Sequence, residues 1–281
     1  MGNCFYKYRQ LAARENSTEI HPFTLSIIQK GEMWFSSPVN FNDPFDGMIN
    51  YPDEMTMTDL EKFCKRMSGL GLDTQGVLNG YNKSPRQLST VYSVIKQKLM
   101  QDSKLKIYCL SRNPLDILMW AHYAASHTGI CIGFKTYQLD ERAFGIKVHE
   151  NCVNSKLLEP DVSNILIPIP VTYTSKVPGK YDFGRGPSEA LQEAFLNKAI
   201  EWQYEQECRI VTTDDTLLEN PVRIDVNEIE ELIFGLRASP LLVEQVKDIV
   251  SKSPYKQPGP KLYQCQRIPG TYALEKVLLS L

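Results

Sequence analysis

The sequence predicts an α+β fold, a single domain over residues 1–281 with a mixed, largely antiparallel sheet flanked by helices. Three observations point there. Short apolar strands and amphipathic helices neither alternate strictly, as in a βαβ protein, nor segregate into halves. No internal repeat or interdomain linker is visible, and the Gly- and Pro-rich stretches at 178–187 and 254–260 read as loops within the domain. The length of 281 residues sits near the upper limit for one hydrophobic core, and 42% hydrophobic with 23% charged residues is ordinary globular usage.

Taken in order, residues 4–11 read as a strand, 21–30 as a helix and 32–36 as a second strand, followed by a polar, aromatic loop over 37–48. A helix over 57–70 takes its cap from Thr58 or Asp59. Ser84 and Pro85 give the N-cap and first-turn signature of a helix running to residue 100. The apolar run 105–111 is a strand, Pro114 opens a helix to about 126, and 130–135 is another strand. Residues 165–173 alternate like a strand whose prolines place it at an edge. A helix over 188–204 leads into a strand over 205–212. Strand 229–234, helix 240–251 and strands near 261–267 and 273–279 complete the chain.

Lys plus Arg number 31 against 33 Asp plus Glu, so no global field draws the chain to nucleic acid or an acidic membrane. No apolar stretch reaches transmembrane length and the first residues lack a signal-peptide pattern, so a cytoplasmic protein without membrane association is expected. The seven cysteines are scattered without a C-x-x-C pair, which fits free thiols rather than zinc or disulfides. Met1-Gly2-Asn3-Cys4 hints at acylation, but Tyr6 stands where the motif wants Ser or Thr.

No P-loop, G-x-G-x-x-G, G-x-S-x-G or H-E-x-x-H is present. The residues that remain as candidates form local clusters: Tyr6-Lys7-Tyr8-Arg9; Trp34 to Pro38 running into Phe41-Asn42-Asp43-Pro44-Phe45-Asp46; Met119-Trp120-Ala121-His122-Tyr123; and Trp202 to Arg209. On a continuous helix His122 and His127 would point about 140° apart, which is no metal pair. Asn42 and Asp43 are ordinary turn residues, yet Phe41 and Phe45 would need cover, so the loop is expected to pack down. On one strand Glu205 and Glu207 would share a face. Arg209 could neutralise one of them, and a structural ion pair and a functional site both fit.

These clusters, in this order, resemble an uncharacterised bacterial family, the Domain of Unknown Function 2971 family. The shared pattern is Lys7-Tyr8-Arg9, Trp34 through Asp46, Ser111, Met119 through Gly129, and Lys198, Trp202, Tyr204, Glu205, Glu207 and Arg209. The family-like core spans about 5–235, with a C-terminal helix and strand as an extension. More distantly the layout is similar to an ADP-ribosyltransferase fold, with Arg9, Ser36-Ser37 and Glu205-Gln206-Glu207 in that order. That resemblance implies NAD as substrate and cleavage of its nicotinamide glycosidic bond, by transfer of ADP-ribose to a nucleic-acid or protein acceptor or by hydrolysis. The oxocarbenium-like transition state gains from a fixed carboxylate. By the same resemblance Glu207 grips the ribose as the catalytic acid and Glu205 orients the acceptor or water. Arg9 holds the cofactor phosphates, Ser36 braces the site, Asn42 and Asp43 line it, and Trp120, His122 and Tyr123 form a stacking wall. Two other readings use the same residues: a nucleic-acid-processing enzyme with Asp43, Asp46, Glu205 and Glu207 around a divalent cation, or a non-catalytic sensor of a ligand or partner.

Overall fold

A computed structural model describes residues 4–47, 50–69, 74–75, 78, 92–93, 105–141, 143–154, 164–177, 179–184, 194–252 and 254–280. The chain forms two compact units, one from Met1–Ser37, Lys106–Val171 and Glu201–Leu281, the other from Pro38–Leu105 and Thr172–Ile200.

The first unit is built on an α+β arrangement, as its residue pattern predicts. Its strands are β1 (Phe5–Arg9), β3 (Leu105–Ser111), β4 (Ile130–Phe134), β8 (Ile169–Pro170), β11 (Glu207–Thr213), β13 (Ile229–Phe234), β14 (Lys261–Arg267) and β15 (Leu274–Leu278). They form one open eight-stranded sheet in the order β15-β14-β13-β4-β1-β3-β11-β8, while β2 (Glu32–Met33) pairs with β12 (Val222–Arg223), and β5 (Tyr137–Gln138), β6 (Phe144–Lys147) and β7 (Ile165–Leu166) form a small sheet of their own. The proline-bearing β8 is an edge, as expected for a residue with no N–H to donate. Pairings are antiparallel along β1/β4, β4/β13, β14/β15 and β11/β8, with β13/β14 parallel.

Side-chain alternation gives the sheet two distinct faces. Phe5, Tyr108, Leu110, Ile132, Cys208, Ile210 and Leu232 share one apolar cluster with Ile27 and Ile28 of α1 (Pro22–Lys30) and Val243 and Val246 of α4 (Pro240–Val250). Tyr6, Tyr8, Cys131, Ile233 and Cys265 look the other way, onto Met119 and Trp120 of α3 (Ile117–Tyr123). On that second face the Glu231 carboxylate, 5% exposed, accepts from the Tyr6 hydroxyl at 2.9 Å and from Lys276 Nζ at 2.6 Å. Gly133 makes room for this contact, because a Cβ there would lie 2.8 Å from Glu231 Cγ and 3.0 Å from the Tyr6 ring.

The second unit contains α2 (Met57–Gly69) and a parallel pair of β9 (Thr172–Thr174) and β10 (Asn197–Ala199). Leu60 and Cys64 pack with Met55, Tyr92, Tyr181 and Phe183. The cap of α2 is Thr56 rather than Thr58. Thr56 N donates to Asp59 Oδ2 while Asp59 N donates to Thr56 Oγ1, a reciprocal capping box. In the loop at 41–46, Asp43 Oδ1 accepts from Phe45 N at 2.9 Å, the Asx-turn. The expected cover of this loop fails at Phe45, which is 69% exposed. Asp46 forms a buried ion pair with Lys198 at 3.6 Å.

Helices predicted from periodicity depart from the structure in two places, and a third lies almost wholly outside the described residues. The helix over 84–100 lies outside the described residues except at Tyr92 and Ser93. Of the helix over 188–204, the part to 193 is also outside them. Beyond it, residues 197–199 pair as β10 and Ile200–Glu205 form a 3-10 turn. The helix over 114–126 shrinks to α3, because Asp116 takes the N-cap by accepting from Leu118 N and Met119 N. Among the described residues no helix is long and apolar enough to cross a membrane.

Candidate functional site

In the first unit α3 sets two polar side chains at its C-terminal end. Met119 and Trp120 face the sheet, Tyr123 one turn on packs against the same cluster, and His122 beside it is exposed. The helix then stops, as Ala125, Ser126 and His127 all take positive φ (46°, 54° and 69°). His127 N donates to Trp120 O, so His127 is not on the helix at all and the two histidines are separated by a chain reversal. Gly129 closes that reversal, since a Cβ there would meet the Arg9 carbonyl oxygen at 2.3 Å.

Facing α3 is the turn Ile200–Glu205. His122 Nδ1 lies 2.9 Å from the Tyr204 hydroxyl. The His122, Trp202 and Tyr204 rings form a triangle with centroids 5.9–6.4 Å apart. Beneath these rings the Tyr123 hydroxyl donates to Glu205 Oε1 at 2.6 Å, and Ser111 Oγ donates to the Glu205 carbonyl at 2.6 Å. Glu205 is 2% exposed.

The two carboxylates are not strand neighbours. Glu205 ends the turn, Gln206 has φ 44°, and β11 begins only at Glu207. Both oxygens of Glu207 are gripped by Arg209, from Nε at 2.8 Å and from Nη2 at 2.9 Å. Arg209 is fully buried. The nearby Cys109 thiol is held well above the usual thiol range, first by burial and then by the Glu207 carboxylate, so it stays a neutral thiol.

The carry-over set does not converge as a whole. Glu205, Glu207, His122 and Tyr123 belong together on the α3 side of the first unit. Arg9 does not: Tyr6 and Tyr8 face α3, so Lys7 and Arg9 face away from it, whereas Glu207 and Arg209 alternate with Cys208 and Ile210 of the other cluster. Arg9 and Glu207 are therefore on opposite faces of the sheet. Trp120 is not a ligand wall but core, fully buried, with its ring 5.2 Å from Tyr8 and its indole N–H on the Pro114 carbonyl. Ser36 acts through its backbone, exchanging two hydrogen bonds with Ile107. Asn42 and Asp43 belong to the second unit. Among the described residues no group of three or more His, Cys, Asp or Glu side chains is arranged to hold a metal ion.

Sequence reasoning placed Trp202, Tyr204 and Lys7 in its candidate clusters and gave none of them a role in the site. The spacing of Trp202 and Tyr204 is their only sequence signal, since it needs the turn to become a shared ring surface. Lys7 Nζ donates to the Cys109 carbonyl at 2.8 Å and lies over the Tyr108 ring at 4.6 Å. Burial, reinforced by the Arg9 cation, pushes its amine down to about 8 from 10.5. Between those values the unfolded chain holds a proton that the fold has shed, so stability should rise with pH across that window. In Lys7→Met the rise should shrink by 1–2 kcal/mol, on the order of what such a shift allows, in urea midpoints compared at pH 7 and pH 9.5.

The first unit thus belongs to the α+β proteins, with a ring-lined patch set over buried carboxylates. Residues 119–210, which carry that patch, match the model of a family described as a protein of unknown function (DUF2971). No curated protein and no solved structure matches the chain.

Proposed function

We propose that this chain consumes NAD, breaking the bond between nicotinamide and ribose and passing ADP-ribose to water or to an acceptor. The observation that carries the reading is the pairing of the His122, Trp202 and Tyr204 rings with the buried Glu205 carboxylate beneath them. Nicotinamide in NAD is a cationic ring, and aromatic faces beside a carboxylate attract such a cation. As C1′–N cleavage proceeds the positive charge moves from the ring to the ribose, and a fixed carboxylate stabilises it there. Nicotinamide departs neutral, so no general acid is needed.

Glu205 takes this role because Tyr123 fixes one of its oxygens beneath the rings, while Arg209 engages both oxygens of Glu207. Glu207 with Arg209 then fixes the start of β11 and the turn that carries Glu205.

Purified protein given NAD, alone and with nucleic acid or a protein extract as acceptor, should release nicotinamide. Glu205→Gln keeps an oxygen for Tyr123 but removes the charge, so release should slow about a hundredfold or more, measured under conditions where the variant is folded. No release by the wild type under any of these conditions, or an undiminished rate in Glu205→Gln, would remove the reading.

A further inference from the structure

The opposite face of the sheet carries a group of polar atoms that the NAD reading does not use. Arg9 Nε is buried with no hydrogen-bond partner, and the guanidinium lies 5.8 Å over the Phe23 ring. His21, at the N-cap of α1, makes no side-chain cap bond, and its Nδ1 is likewise buried without a partner. Its ring sits 5.7 Å from Phe23. A third such atom is the hydroxyl of Tyr108, a residue only 2% exposed. The Arg9 charge reaches both of these neighbours, lowering the affinity of His21 for a proton and opposing the effect of burial on Tyr108.

Buried donors without acceptors cost roughly 1–3 kcal/mol each and are rare in folded proteins. The Arg9 Nε–H with two such polar atoms beside it, the Tyr108 hydroxyl and a His21 ring nitrogen that donates when it carries the proton, calls for a ligand rich in oxygen and negative charge. Lys7, two residues from Arg9 on the same strand face, adds a second cation, and the first N–H groups of α1 have no partner within the helix. Beside this set Phe23 and Trp34 meet edge to face at 5.4 Å, and they stay 46% and 38% exposed. Two large rings left open beside an anion cradle suit a flat base.

We propose that Arg9, His21 and Tyr108 grip the phosphate of a nucleotide whose base stacks on Phe23 and Trp34, a ligand site on the other face of the sheet from Glu205. The shared chemistry is a phosphate joined to an aromatic base, either as a free mononucleotide or as the 5′ end of a single strand. The site does not depend on NAD cleavage.

Calorimetry on the full chain separates these outcomes. AMP should bind, adenosine and inorganic phosphate far more weakly. Arg9→Ala should weaken AMP about tenfold or more, the scale of a charged hydrogen bond, with Arg9→Lys recovering part of the loss. Trp34→Ala, a change at an exposed ring, should weaken AMP by about fivefold or more and leave the weaker binding of ribose 5-phosphate unchanged. Tighter binding of a short 5′-phosphorylated strand than of AMP would name the strand end as the source, and the reverse would name the free nucleotide. Glu205→Gln should bind AMP like the wild type even where it fails to release nicotinamide. Absence of AMP binding in the wild type, indifference to both Arg9→Ala and Trp34→Ala, or equal loss in Glu205→Gln would overturn the site.

Discussion

Replacing Arg209 by methionine should lower the stability of the fold by about 3–5 kcal/mol, the scale of breaking a buried ion pair from one side. Arg209 is fully buried and Glu207 is 6% exposed, so water cannot take over the two hydrogen bonds that the guanidinium gives. The carboxylate would keep its desolvation cost and lose its bidentate partner. Glu207→Leu should also destabilise, by removing the carboxylate that accepts two hydrogen bonds from the guanidinium. The double variant Glu207→Leu/Arg209→Met should be less damaged than the sum of the two, because the coupling between these two groups is lost once rather than twice. Urea midpoints of the four proteins measure the coupling. Strict additivity would mean that the two groups do not act as a pair.

Trp120→Ala should cost a similar 3–5 kcal/mol, about what deleting a buried tryptophan costs elsewhere. Its ring fills the space between α3 and Tyr8, and the absence of a side chain at Gly235 lets it sit there, since a Cβ on that glycine would lie 3.0 Å from the indole. Trp120→Phe should cost less, by keeping most of the volume and losing the hydrogen bond to Pro114. Any fall in nicotinamide release should follow the loss of folded protein. If Trp120→Phe weakened NAD binding at full stability, the residue would be part of the ligand wall and not of the core.

The strands of the large sheet were legible because their signal is local. Residues 105–111 are predicted and found as one strand, and 130–135 differ by a single terminal residue. What local pattern could not supply was parity. Whether Glu205 shares a face with Glu207 depends on the left-handed Gln206 between them, a residue with no turn signature of its own. Whether Arg9 shares a face with Glu207 depends on how β11 is phased relative to β1, two strands away in the sheet. Residues 197–199 were misread as helix because their parallel pairing with β9 outweighs propensity. His21 and Phe23 carried no distinguishing pattern, since a helix-initiating His-Pro-Phe is equally a plain cap.

The Tyr6, Glu231 and Lys276 contact ties β1 to β13 and β15 within one sheet. A ribosome delivers β1 before any of these partners: its sheet neighbours β3 and β4 come roughly a hundred residues of synthesis later, and the lysine that balances Glu231 comes later still. Until then Phe5, Tyr6 and Tyr8 have no sheet to enter. The first strand is therefore a waiting strand, and its alternating basic residues, Lys7 and Arg9, give the nascent segment a charge that opposes edge-to-edge pairing with other chains.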